Sequence, residues 1–162
     1  MADSLWTQID AAVRDTLRAH LPAFLAQVGE RGERITYGFE TTLPQGNQCP
    51  FIGIYETGGA KNWGAMGTTN HPGYGVWNYN YEVWVYVVDH TPEAAVQRGK
   101  RWIDAIRGCL ERYYTLGGKV VNCDVGDLQP AAAAEVSGGV MQAAGTDLLV
   151  QVGRAGQSVA IA

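Results

Sequence analysis

The sequence has little charge of either sign, and the small excess is acidic. Charged residues make up 17% of the chain and its net charge is −4, whereas an ordinary globular protein carries about 25% charged residues. Nucleic-acid backbones are bound mainly by clustered lysines and arginines, so this balance argues against sequence-specific nucleic-acid binding. The basic run Arg98-Gly99-Lys100-Arg101 falls on a predicted helix and is interpreted as a solvated face. Low charge leaves room for buried contacts between subunits, although a quiet monomer surface explains it equally well.

Paired cysteines, a signal peptide and a long apolar run are also missing. Cys49, Cys109 and Cys123 form no CxxC and cannot all pair within one chain, which predicts free thiols in a reducing compartment. The amino-terminal MADSLWTQID is polar and passes directly into an amphipathic pattern, unlike a secretory signal. No apolar run approaches the ~18 residues that span a bilayer. We therefore expect no membrane partner and a protein that stays in the compartment where it is made.

Spacings typical of enzyme and metal sites are absent from the sequence as well. No histidine pair stands at helical spacing or beside a cysteine as in a zinc site, the three histidines being His20, His71 and His90. The glycine spacing of Gly59 to Ala65 fails as a phosphate loop because the required lysine is missing. Cys49 has no activating base near it in sequence. We predict no catalytic residue, no cofactor and no metal, and expect that the protein is not an enzyme.

Two weaker alternatives stay open. Adjacent strands could bring two acids together as a catalytic pair, although single acids at strand ends are the simpler interpretation of Glu56, Glu82 and Asp89. Aromatic residues could form a platform for a sugar or a single-stranded base, the candidates being Trp63, His71, Tyr74 and Trp77. That second alternative makes the chain a ligand-binding module, and a monomer with glycan affinity would favour it.

Hydrophobic periodicity predicts a single α+β domain over residues 1–162, with a mainly antiparallel sheet packed against two main helices. Helices are predicted over 4–20, with a short second piece over 22–28 after Pro22, and from the cap Thr91 to Gly117-Gly118. Strands are predicted over 35–41, 50–57, 76–89, 119–128 and 139–152, with an alanine-rich turn over 129–137. Residues 153–162 are interpreted as a flexible tail or a last short strand.

The strand over 76–89 carries the strongest signal. Its alternate residues from Trp77 to Val87 are apolar and predict a core face, while the other face is polar up to Glu82 and then apolar at Trp84, Tyr86 and Val88. We expect the second half of this strand to be covered on both sides, by a helix of this domain or by a neighbouring subunit.

A glycine-rich stretch over 58–75 has no periodicity and predicts a long loop. Structureless loops of this length are uncommon inside compact domains and are usually functional or ordered by a partner. We therefore expect residues 60–74 to contact a neighbouring protein. The candidate interface residues are Lys61, Asn62, Trp63, Met66, His71 and Tyr74 from the loop, with Trp84 and Tyr86 from the following strand.

The order of these elements is similar to that of a known family. A long amino-terminal helix is followed by a strand ending in Val83-Trp84-Val85-Tyr86-Val87-Val88-Asp89, by the helix start Thr91-Pro92, and by a helix that closes on Leu116-Gly117-Gly118. The pattern from Leu5 to Val152 resembles the tail-terminator proteins of long-tailed phages, also called tail-completion or minor tail protein U-like proteins, and related neck proteins. The resemblance rests on element order and hydrophobic pattern, and the stretch over 58–75 departs from it.

The resemblance implies a structural virion protein without catalytic residues. Such a subunit assembles in the host cytoplasm into a ring, typically a hexamer, at the head-proximal end of the tail. The ring stops polymerisation of the major tail tube protein and meets the head connector, with DNA passing through it. A head-tail connector or stopper would share this architecture. A ring needs two different contact patches on each subunit, for which we consider the exposed side of the long helix and the two-sided end of strand 76–89.

Overall fold

Two helices and a six-stranded sheet form the described part of the chain. The structure, a computed structural model, describes residues 5–32, 34–39, 43–62, 76–129, 133–136 and 138–153. In chain order the elements are α1 (Leu5–Gln27), β1 (Thr36–Gly38), β2 (Phe51–Asn62), β3 (Val76–Asp89), α2 (Pro92–Arg112), β4 (Asn122–Gln129), β5 (Ala133–Val136) and β6 (Gly139–Val152). The predicted α+β class, a mainly antiparallel sheet packed against two helices, is confirmed.

The sheet places its two longest strands in the middle. Strand order is β1-β2-β3-β6-β4, and β5 pairs with β6 on the same side as β4. Strands β3 and β6 pair in register from Trp77↔Val152 to Asp89↔Val140. Strand β1 runs parallel to β2, and the other pairings are antiparallel. One edge of the sheet is therefore β1, and the other is formed by β4 and β5.

Both helices contribute to one core, which lies on one face of the sheet, here called the helix face. The predicted core side of β3 faces the helices, since Tyr79, Tyr81, Val83, Val85 and Val87 are all buried there. Trp102 of α2 is fully buried among them. The core side of β3 was predictable because apolar residues alternate strictly along this long strand, so only one of its two sides can face the core.

Helix α2 begins as predicted. The Thr91 hydroxyl accepts a hydrogen bond from the Ala94 N–H at 3.2 Å, and proline occupies the first turn. The basic run is a solvated face only in part: Lys100 is exposed as predicted, whereas Arg98 and Arg101 bind other parts of the chain. Arg98 donates to the Val88 carbonyl oxygen at 2.6 Å, and both Arg98 and Arg101 pair with Glu30, at 3.5 and 3.0 Å. These arginines join α2 to the end of β3 and to the segment after α1.

Several boundaries differ from the predictions: β1 spans only 36–38, β4 spans 122–129, and α2 ends at Arg112 rather than at Gly117-Gly118. Three further differences have clear physical reasons. Helix α1 continues through Pro22, because the flanking Leu21 and Leu25 are fully buried and together contribute about 3–6 kcal/mol, enough to offset the roughly 3 kcal/mol of an internal proline. Residues 58–62, predicted as loop, lie in β2, whose pairing resumes after a bulge between Glu56 and Gly58. Residues 133–136, predicted as turn, form β5, since pairing with β6 supplies their hydrogen bonds.

Candidate interaction surfaces

The face of the sheet opposite the helices, here called the outer face, has an apolar half and a polar half. Phe51, Tyr86 and Met141 are buried in the apolar half, packed against partly buried neighbours, which are Cys49, Trp84, Val88, Val136 and Ala143. The Cys49 thiol lies 3.9 Å from the Met141 sulfur. The second half of β3 is thus partly covered on this face by its own chain, through neighbouring strands and the segment before β2 rather than by a helix. Further cover by a neighbouring subunit stays a prediction.

Two glycines make room for the aromatic side chains of the apolar half. Trp84 has Gly53 and Gly145 as its two strand partners. A Cβ on Gly145 would come within 2.5 Å of the Trp84 ring, and a Cβ on Gly53 would come within 2.1 Å of the Tyr55 hydroxyl. The two aromatic rings therefore lie down against glycine backbone, which is why both positions need a residue without a side chain.

Tyr86 and Trp84, two of the predicted interface residues, differ in exposure. Tyr86 is buried and its ring meets Phe51 at a centroid distance of 6.0 Å. Trp84 is partly buried and its indole N–H donates to Glu82 at 3.4 Å, the point where the apolar half meets the polar half. Trp84 keeps surface for a partner, whereas Tyr86 offers little.

Of the remaining predicted interface residues, the structure describes Lys61 and Asn62, at one end of the sheet. Lys61 and Asn62 belong to the end of β2, while Trp63, Met66, His71 and Tyr74 lie outside the described residues. Asn62 pairs directly with Val76, so the chain leaves and re-enters the sheet at one point. Trp6 of α1 packs edge-on against Tyr79 at 4.3 Å near the same end, and Trp77 pairs there with Val152, the last residue of β6. That the predicted interface residues of 60–74 contact a neighbouring protein stays a prediction.

The polar half of the outer face is tied together by side-chain amides. The Gln129 amide donates to Asp147 at 2.9 Å, and Gln151 donates to Asn78 at 3.3 Å. A hollow of about 390 Å³ opens here, with Asn80 and Asp124 in its wall. These groups suit a wet, hydrogen-bonding contact.

The acids considered as a pair do not come together. Glu82 faces outward, Glu56 lies opposite Tyr81 on the helix face, and Asp89 ends β3 at the far end of the strand. The structure instead places Glu56 near Asp10 of α1. Burial raises the pKa of Asp10, a hydrogen bond from Tyr81 opposes this, and the charge of Glu56 adds to the rise in pKa. Sequence reasoning missed Asp10 because only the packing of α1 on the sheet brings it to Glu56.

The three cysteines and the two described histidines have different surroundings. Burial raises the pKa of Cys109 and of Cys123 to about 12 and also raises that of Cys49. His20 stacks on Tyr113 at 3.8 Å, and His90 is exposed after β3. Among the described residues, no group of three or more His, Cys, Asp or Glu side chains is placed to hold a metal ion. Neither α1 nor α2 is long and apolar enough to cross a membrane.

Exposed apolar side chains stand beside hollows at both edges of the sheet. Near β1, Phe39 and Leu43 are 39% and 67% exposed beside a hollow of about 470 Å³, whose wall includes Tyr37, Pro44 and Phe51. We call this the β1-edge patch. At the other edge, Leu128 is 53% exposed beside a hollow of about 510 Å³ between α2 and β6, whose wall includes Val96, Ile103 and Ala144. We call this the β4-edge patch.

The two patches differ in the charges around them. Arg14 and Arg18 lie over the rings of Phe39 and Tyr37, at 5.7 and 5.3 Å. Arg18 and Arg34 line a small hollow beside Tyr37. At the other edge the charged residues of β4 and β5 are all acidic, namely Asp124, Asp127 and Glu135, and all three are exposed. Arginines predominate around the β1 edge, where Asp15 pairs with Arg14 at 3.0 Å. The strands of the β4 edge carry only acids, and Arg107 of α2 donates to the Gly126 carbonyl oxygen there.

Comparison of the chain with protein-family models finds no match, and comparison with curated proteins finds none either.

Proposed function

We propose that this protein is a tail-terminator subunit of a long-tailed phage, which assembles into a ring that caps the tail tube and joins it to the head connector. The fold is the α+β arrangement that the resemblance implies, with the expected order of long helix, strands, second helix and strands. The resemblance supplies the biological setting, and the surface of the subunit supplies the physical support.

One observation carries the proposal: a single subunit has two unlike apolar patches on opposite edges of one sheet. Head-to-tail association requires two different patches, because each subunit meets one neighbour with the first and the next neighbour with the second. When the rotation between subunits closes, such a contact produces a ring. Single exposed apolar side chains are normal on a monomer, but at both edges the exposed side chain lies with other apolar residues around a hollow, and such a combined patch supports contact with a partner.

The axial partners are assigned to the end of the sheet at Asn62, Val76 and Val152. The chain segments 63–75 and 154–162 both join the described structure there. Contacts at the sheet edges join neighbours around a ring and leave this end free for the tube or the connector. A head-tail connector would form the same ring and would differ only in the protein that binds at this end of the sheet.

The proposal is tested first by solution mass and then by tube capping. Light scattering across a concentration series is expected to give a mass that rises from 17.5 kDa to a fixed multiple, about six, with rings visible by negative-stain electron microscopy. Added to polymerising major tail tube protein, the ring is expected to shorten the tubes and appear at one end of each. Rings that leave tube length unchanged but bind connector rings would assign the protein to the connector class. A protein that stays monomeric and binds neither the tail tubes nor the connector rings would refute the proposal.

A further inference from the structure

We propose that the β1-edge patch of one subunit docks into the β4-edge patch of the next, and that this contact is the ring interface. The inference rests on the proposed function and names the partner surface as a second copy of the same chain. Each patch has a projecting leucine beside a hollow, so the two patches can interlock. Leu43 of one subunit enters the hollow between α2 and β6, while Leu128 of the neighbour enters the hollow beside β1.

The sizes of the hollows fit these side chains. Leu43 and Leu128 are 67% and 53% exposed, and the hollows measure about 510 and 470 Å³. A cavity of only ~150 Å³ lined by apolar side chains holds a benzene-sized group. Each hollow therefore has room for a leucine side chain with its neighbours, including Phe39 beside Leu43.

The charges around the patches favour contact between a β1 edge and a β4 edge over contact between two edges of the same kind. Arg18 and Arg34 flank the β1-edge patch, and Asp127 and Glu135 flank the β4-edge patch. Contact between two β1 edges, or between two β4 edges, would bring like charges together, which costs several kcal/mol in an interface. Lys100 in the wall of the larger hollow and Arg107, which donates to the Gly126 carbonyl oxygen of β4 at 3.0 Å, add two cations to the three exposed acids of this edge. The balance still favours a basic edge against an acidic edge, which is the head-to-tail arrangement.

Both edges are built against simple strand-to-strand addition. Strand β1 has only three residues, and β4 carries a bulge between Val125 and Leu128. Short, bulged and charged edges are the usual means by which proteins prevent open-ended backbone pairing. The contact is therefore made by side chains, whose geometry can fix the rotation that closes a ring.

The test uses two variants of the full chain, each blocked at one patch. Leu43→Asp removes the knob of the β1-edge patch, and Leu128→Asp removes that of the β4-edge patch. We expect each variant alone to be monomeric at concentrations where the wild type forms rings, with association weakened at least 30-fold, as for an interface hot spot. Mixed together, they should form a one-to-one dimer that does not grow, because only one unblocked pair of patches exists.

Tyr114→Asp is the matched control. Tyr114 is 51% exposed and its carbonyl oxygen accepts a hydrogen bond from Cys123, which lies at the other end of β4, roughly 15 Å from Leu128 at the usual rise per residue. This variant should assemble like the wild type. Circular dichroism and urea unfolding show whether all three variants are folded, which the exposure of the replaced side chains leads us to expect.

A charge exchange tests the same contact without removing apolar surface. Arg34→Glu or Asp127→Lys alone should weaken assembly about tenfold, and the two together in one chain should restore most of the loss. Rings that survive both leucine variants, or no rescue by the double charge variant, would overturn this interface while leaving the ring itself intact. A wild type that stays monomeric at every concentration would overturn the ring, and the interface with it.

Discussion

The two faces of the sheet cover the apolar side chains of β3 in different ways. On the helix face, β3 presents Tyr81, Val83 and Val85 to two amphipathic helices, and the core is closed by elements far away in sequence. On the outer face, the same strand changes from polar to aromatic at Trp84, and its rings are accommodated by glycines on the adjacent strands. The helix face is therefore the source of stability, while the outer face and the edges are where the chain can be adapted to partners.

The largest difference between the faces should appear in thiol reactivity. Cys109 and Cys123 are buried in the core, and burial raises the pKa of each to about 12, whereas Cys49 on the outer face is partly exposed. Only the thiolate reacts, so labelling of the buried pair requires the protein to open. At pH 8 we expect Cys49 to react at least about 10³-fold faster than the other two. The Cys49→Ser variant should resist labelling until urea unfolds it, and three equally fast thiols would contradict this assignment.

Removal of a buried indole should distinguish the two faces by stability. Trp102 is fully buried in the helix-face core, so Trp102→Ala should lower the free energy of unfolding by about 3–5 kcal/mol. Trp84 is only partly buried on the outer face, and Trp84→Ala should cost about 1–2 kcal/mol. Urea unfolding followed by far-ultraviolet circular dichroism measures both. Equal losses would mean that the outer face contributes as much to the fold as the core does.

Adding a single methyl group should lower stability on the outer face and raise it in a helix of the other face. Gly145→Ala would place its Cβ about 2.5 Å from the Trp84 ring, so we expect the ring to move and stability to fall by about 1–3 kcal/mol. Gly108→Ala in α2 meets only Phe24, at 3.4 Å, and should gain up to about 1 kcal/mol because alanine favours a helix over glycine. Urea midpoints report both changes. A neutral Gly145→Ala with unchanged tryptophan fluorescence would show that Trp84 does not rest on this glycine.

Much of the fold was predictable because local patterns and tertiary packing agree. The bounds of β3 and β6 and the start of α2 were correct, since alternation and the Thr91 cap act over neighbouring residues. Pro22 was misjudged because its cost is outweighed by leucines that pack against distant elements. Residues 133–136 were missed because a short alanine run takes its structure from the strand beside it.

The candidate surfaces were less predictable than the fold. The aromatic half of the outer face was expected from Trp84 and Tyr86, but the edge patches were not. Leu43 and Leu128 can be recognised as edge residues only when the strand order is known. Strand β6 lies between β3 and β4, so β4 is an edge strand. No local pattern marks such residues, because an exposed leucine in a sequence looks the same as a buried one. The interface role of Trp63, Met66, His71 and Tyr74 stays a prediction.

The smallest expected effect concerns Asp10, a partly buried acid near the start of α1. Burial raises the pKa of Asp10 above its ordinary value of 3.8, so between the two values the folded protein binds more protons than the unfolded chain. Stability must then fall as the pH rises through that window, and the ionised carboxylate is a small penalty at neutral pH. Asp10→Asn removes the penalty, since an amide stays neutral and still accepts a hydrogen bond from Tyr81.

We expect Asp10→Asn to gain no more than about 0.5 kcal/mol at pH 7, because the carboxyl is partly solvated and screened, and to gain less at pH 4. Urea unfolding at both pH values measures the difference, with Asp15→Asn, an exposed aspartate on the same helix, as the matched control. A larger gain at pH 4 than at pH 7 would reverse the sign. It would mean that the hydrogen bond from Tyr81 outweighs the burial of Asp10 and that the carboxylate stabilises this end of the core.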